Sequence, residues 1–93
     1  METLMFLDIA TTDGTAAFVR ATTGERFEKG VEVRVTSPLH ARYGTTGTIS
    51  LVFMKDVEET VCGRAAIISI PSAIIAFPSG PVEIPTALLT TTD

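Results

Sequence analysis

Lys29-Gly30-Val31-Glu32-Val33-Arg34-Val35, followed by Tyr43-Gly44-Thr45-Thr46-Gly47-Thr48-Ile49-Ser50-Leu51-Val52, decides the fold class of this chain. Val31, Val33 and Val35 alternate with Glu32, Arg34 and Thr36. A period of two puts the valines on one face of a strand and the charges on the other. Gly30 leads into that strand, and Ser37-Pro38 ends it, because proline removes a ladder donor. Gly44 and Gly47 offer backbone freedom for a sharp reversal, and the run 48–53 reads as the next strand. This is the local grammar of a small curled β-barrel.

The same grammar extends in both directions. The run 4–9 is apolar and β-compatible, Asp13-Gly14 suits a tight hairpin, and 16–22 supplies the return strand. An N-terminal hairpin over 4–22 is expected. Residues 26–30 read as a short polar approach to the valine strand. Residues 54–61 carry Lys55, Asp56, Glu58 and Glu59, and read as an exposed turn between strands. Ala65-Ala66-Ile67-Ile68-Ser69-Ile70 reads as a strand buried on both faces, since its apolar run is almost unbroken. Pro71-Ser72 then breaks the chain before a further strand, 73–77. Pro78-Ser79-Gly80-Pro81 is a turn, and Val82-Glu83-Ile84-Pro85 is a short edge strand because Pro85 cannot sit centrally. Residues 86–89 form a 3₁₀ turn or a last short strand, and 90–93 a polar tail.

No segment keeps apolar residues at i, i+3, i+4 and i+7 over three turns. Six or seven short strands about ten residues apart favour a barrel or a sandwich, and this length favours a barrel. The expected fold is all-β: one small SH3-like or related barrel over 1–93, with barrel core 31–89.

With 93 residues the chain makes one domain with one modest core. Aliphatic side chains dominate a 45% hydrophobic share, and aromatics are 6%. A mean hydropathy of +0.37 is high for so small a domain. Some apolar side chains should therefore stay outside the core and mark a contact surface. The net charge of −4 opposes non-specific nucleic-acid binding, where Lys and Arg must replace phosphate counterions. Cys62 is the single cysteine, which fits cytoplasmic synthesis without secretion. No run reaches the ~20 apolar residues of a membrane-spanning helix, and the N-terminus lacks the basic start of a signal peptide.

From 29 to 52 the pattern resembles the first strand pair of SH3-like barrels of the KOW type. It is also similar to small barrel subunits that clip onto photosynthetic electron-transfer complexes. Gly30, Val31, Val33, Val35, Gly47, Ile49 and Val52 occupy the places that carry the resemblance. Residues 82–89 look like the closing strand of such barrels. The 35–47 loop is longer than a compact KOW turn, and the 4–22 hairpin has no counterpart in the minimal fold. The KOW resemblance implies a nucleic-acid module using Arg20, Arg34, His40 and Arg42, with Tyr43 as a stacking platform.

Few residues suggest chemistry. Arg34, His40 and Arg42 around Tyr43 form a candidate site for a phosphate or carboxylate, although a polar loop with Tyr43 on the barrel edge is the plainer reading. Cys62 with His40 as base lacks a third orienting group, and a buried or half-buried structural cysteine is favoured. Asp56, Glu58 and Glu59 lack the alternating spacing of a calcium loop. One His and one Cys cannot build a transition-metal site in one chain. Gly44-Thr45-Thr46-Gly47 lacks the Lys and helix of a phosphate loop. No cofactor and no enzymatic activity are expected. The favoured reading is a non-enzymatic assembly protein that packs on itself or on a larger partner, as an accessory subunit or a viral capsid or tail component. The alternatives are the KOW-type nucleic-acid module and a docking inhibitor from a mobile element.

Overall fold

A computed structural model describes residues 6–10 and 16–92, with side chains from 17 onward. The described chain is all-β and antiparallel. Strands β1 (Phe6–Ala10), β2 (Ala16–Arg20) and β3 (Arg26–Glu28) form a three-stranded sheet in that order. β4 (Glu32–Val35), β5 (Thr46–Val61), β6 (Arg64–Phe77), β7 (Gly80–Pro85) and β8 (Leu89–Thr91) form a second sheet in the order β7-β6-β5-β4-β8. A single 3₁₀ turn, Thr86–Leu88, joins β7 to β8. The two sheets are not hydrogen-bonded into a closed cylinder.

The valine strand is as its period requires. Val33 and Val35 are buried and Glu32 and Arg34 are exposed. β1 and β2 pair in register from Phe6↔Arg20 to Ala10↔Ala16, while the expected Asp13-Gly14 turn lies outside the described residues. The polar approach over 26–30 proves to be a strand in part. Phe27 of β3 sits opposite Phe18 of β2, and both enter the core. They meet Val33, Val35, Ile49, Val52, Ala73, Ile75, Phe77, Ile84 and Leu89 from the larger sheet. The core thus lies between the sheets, and β8 returns beside β4 to complete it.

Three expectations are corrected between residues 47 and 77. Residues 54–61 are not a turn but the outer half of β5, which pairs with β6 out to Val61↔Arg64. Pro71-Ser72 does not break the chain, because β7 flanks β6 only as far as Ser72↔Pro85. From Pro71 outward β6 is an edge strand, where proline is tolerated. Residues 65–70 are not buried on both faces; Ile67 is 67% exposed. The true turn is Cys62-Gly63, with both φ values positive at 53° and 76°. That combination suits the two-residue hairpin turn that follows the strand twist. Cys62 is the one non-glycine residue with positive φ among those described. Cys62→Asn, a residue at ease in that region, should raise stability by roughly 0.5–1 kcal/mol. Urea denaturation should show a higher midpoint with an unchanged slope.

A polar clamp ties the two sheets together. The Arg20 guanidinium donates to Glu25 Oε1 at 2.5 Å and to the carbonyls of Thr86 and Leu89 at 3.1 and 2.6 Å. Glu25 accepts from Thr90 Oγ1, the Thr91 amide and Thr23 Oγ1 at 2.6, 2.9 and 2.9 Å. Both charged side chains are 14% exposed. Burial alone would raise the Glu25 pKa. Hydrogen bonds from Thr90, Thr91 and Thr23, with the Arg20 charge, outweigh it and lower the value from 4.5 to about 2. The folded state therefore binds this proton less readily than the unfolded chain. The resulting stabilisation is complete above pH 4.5 and is lost as pH falls toward 2. Its size is on the order of 3 kcal/mol. The melting temperature should be flat from pH 7 to 5 and drop below pH 4.5. Glu25→Gln should melt lower at pH 7 and lose much of that acid slope.

Candidate functional site

The β4–β5 connection was the expected home of a recognition site. Its turn is held by backbone bonds, His40 N to Ser37 O at 3.1 Å and Tyr43 N to His40 O at 3.0 Å. His40 Nδ1 accepts the Arg42 amide at 3.0 Å, so this imidazole serves its own turn. Arg42 leaves the group. Its guanidinium donates to Ser79 Oγ at 2.6 Å and lies 5.3 Å from the Phe77 ring centre. Arg34 and Tyr43 do converge. With Val35, Thr36 and Gly44 they line an open depression of about 390 Å³. Tyr43 is 57% exposed above it. The arrangement offers one guanidinium and one phenol to a small anion or a planar group. It does not gather all four expected residues around one ligand.

Other candidate chemistry is dispersed. Cys62 is exposed rather than buried or half-buried in a structural place; it sits in the turn at the tip of β5, with the whole of β5 between it and the His40 loop. Among the described residues no cluster of three His, Cys, Asp or Glu could hold a metal ion, and no helix is long and apolar enough to cross a membrane. The carboxylates of 56–59 point to both sides of one hairpin. Asp56 accepts a bond from Ser69 Oγ at 2.7 Å across the strand pair.

The feature that sequence reasoning missed is that hairpin. β4 flanks β5 at residues 46–48, and β7 flanks β6 at 72–77. Gly30 and Val31 bond β5 once more at Ile49, and Val52 still enters the core; beyond Val52 and Ser72, β5 and β6 run on as a two-stranded arm. Opposed residues share a face in an antiparallel pair. One face therefore carries Phe53, Val57, Val61, Ala66, Ile68 and Ile70, interrupted by Lys55, Glu59 and Arg64. Lys55 is paired with Glu83 of β7. A bulge at Ser50 shifts the register between Ile49 and Leu51, which sets this face opposite to the core side of the sheet. The missed signal was an absence: between Gly47 and Gly63 there is no Gly, Pro, Asn or Asp-Gly pair to reverse the chain.

The chain measures 41 × 32 × 23 Å with a radius of gyration of 13.7 Å, against about 12.3 Å for a compact chain of this length. It exposes 5985 Å², where a folded monomer of its mass exposes about 5200 Å². No known protein family matches the chain, no curated protein matches it in sequence, and no solved structure matches it in fold.

Proposed function

We propose that this is a non-enzymatic assembly protein whose β5–β6 arm lies against another protein surface. The observation that carries the reading is the apolar face of the arm. A lone two-stranded hairpin is marginal in water, and this one turns Val57, Ile68 and Ile70 away from the domain's own core. A covering neighbour makes such a face favourable through ordinary apolar burial. The roles that fit are an accessory subunit of a larger complex or a capsid or tail component of a virus. The body below the arm is read as a variant of the small SH3-like barrel. Support comes from the 3₁₀ turn before the final strand and from the return of β8 beside β4. A nucleic-acid role draws less support, since Arg42 is engaged with Phe77 and Ser79 and the net charge is −4.

Light scattering on the purified chain, combined with binding of a dye that fluoresces on apolar surfaces, tests the reading. An assembly with little dye binding, or a monomer that binds dye strongly, is expected. A stable monomer that leaves the dye dark would remove the basis of the proposal.

A further inference from the structure

The arm has two bare edges, and they differ in chemistry. Toward the tip, β5 carries Lys55, Asp56, Glu58 and Glu59, with Lys55 reaching across β6 to Glu83 and Asp56 to Ser69. Charges of this kind keep foreign strands from pairing. On the other edge, residues 65–70 of β6 read Ala-Ala-Ile-Ile-Ser-Ile and carry no charge. No described strand pairs with that edge between the Cys62-Gly63 turn and Ser72. Its alternate N–H and C=O groups point outward with nothing to meet.

We infer that a second copy of this chain covers that edge, β6 against β6, antiparallel about a two-fold axis at Ile67. The inference rests on the assembly reading and specifies its partner. A two-fold axis perpendicular to a joined sheet keeps each face on its own side, so opposed residues differ by an even number. Centring on Ile67 sets Arg64 of one copy against Ile70 of the other, Ala65 against Ser69, Ala66 against Ile68, and Ile67 against its counterpart. Centring on Ala66 would force the Cys62-Gly63 turn into the ladder. Centring on Ile68 would bring in Pro71 and Ser72, and Ser72 is already paired with β7. Ile67 is thus the centre that uses all of 64–70 and nothing else. The match is also chemical: between the Arg64 residues at its two ends, the ladder sets uncharged residues 65–69 of one copy against uncharged residues 65–69 of the other, where β5 of a neighbour would present Lys55, Asp56, Glu58 and Glu59. The product is a four-stranded sheet that joins the Val57, Ala66, Ile68 and Ile70 faces of both copies. An isologous contact of this type closes at two copies and does not propagate.

Sedimentation and cysteine cross-linking on the full chain test the pairing. Wild type should sediment at twice its 9.9 kDa chain mass. Ile67→Lys, at an exposed position, should return the single-chain mass with an unchanged circular dichroism spectrum. Opposed residues at the centre of an antiparallel ladder lie about 4.5–5.5 Å apart between Cα atoms, within disulfide range. In a Cys62→Ser background, Ile67→Cys should therefore link into a covalent dimer under mild oxidation. Glu58→Cys in the same background should not, being about 14 Å from its counterpart, three strand spacings away. A chain that stays at single mass at every concentration would overturn the pairing and leave the assembly reading to a different partner. A dimer that survives Ile67→Lys and fails to cross-link at 67 would also overturn it, while upholding assembly through another surface.

Discussion

Gly47→Val should leave this protein unfolded at 37 °C, and Gly47→Ala should cost about 2–4 kcal/mol. Gly47 lies inside β5, opposite Val33, and not in a reversal. A Cβ built there would stand 2.6 Å from Ile75 Cγ2, 2.8 Å from the Ala76 carbonyl oxygen and 3.0 Å from Phe77 Cδ1. The Phe77 ring can yield, but the Ala76 oxygen belongs to the paired strand and cannot. Relief requires β5 and β6 to separate at their most buried point, between Ile49, Ile75 and Phe77. A domain of this size has roughly 5–10 kcal/mol in total, so the two added methyls of valine exceed what the fold can absorb. Urea denaturation of Gly47→Ala and circular dichroism of Gly47→Val provide the measurement. Near wild-type stability in both would mean that the two strands do not approach this closely.

Arg20→Met should cost about 2–4 kcal/mol, the second large effect, because it leaves a part-buried carboxylate without its counter-charge and takes a donor from two carbonyls. The Thr86 and Leu89 carbonyls each lose a donor, and Glu25 loses its counter-charge. The guanidinium also lies 5.1 Å from the Phe27 ring centre, so its stacking is lost as well. Met keeps much of the apolar stem, which confines the effect to the charged head. The loss should shrink in an Arg20→Met/Glu25→Gln double variant, since removing both charges leaves neither uncompensated. A double-mutant cycle in urea measures the coupling, and strict additivity would show that the clamp is not one unit.

How much of this was legible depended on whether a signal was local. The period of two in Val31, Val33 and Val35 is local, and the strand and its buried face follow from it. The β1–β2 strands, the β7 edge ending at Pro85 and the 3₁₀ turn after it were equally readable, whereas Gly80-Pro81, expected in a turn, begin β7, and Thr90-Thr91, expected in a polar tail, pair with β4 as part of β8. The clamp was not, because Arg20 and Thr90 are distant in sequence and adjacent only through β8. Phe27 was hidden by its charged neighbours Arg26 and Glu28, which flank it on the opposite face of a three-residue strand.

The arm misled for a physical reason. Charge density at 55–59 normally marks a turn, and an apolar run at 65–70 normally marks a buried strand. Each pattern here belongs to one side of the same exposed hairpin, where charge guards one edge and its absence leaves the other open. Of the expected site, Arg34 and Tyr43 share a depression because β4 and the loop end meet there. Arg42 went to Phe77 and Ser79, partners that no pattern in the sequence connects to it.

Amide hydrogen exchange across residues 64–70 tests the central claim most directly. In an isolated arm the outward-facing amides of β6 lack acceptors and exchange at nearly unprotected rates. The account predicts that they become protected as protein concentration rises, and that Ile67→Lys abolishes this protection while leaving the amides of Val33, Ile49 and Ile75 slow. Fast exchange at 64–70 at every concentration, in a chain that stays monomeric, would contradict it.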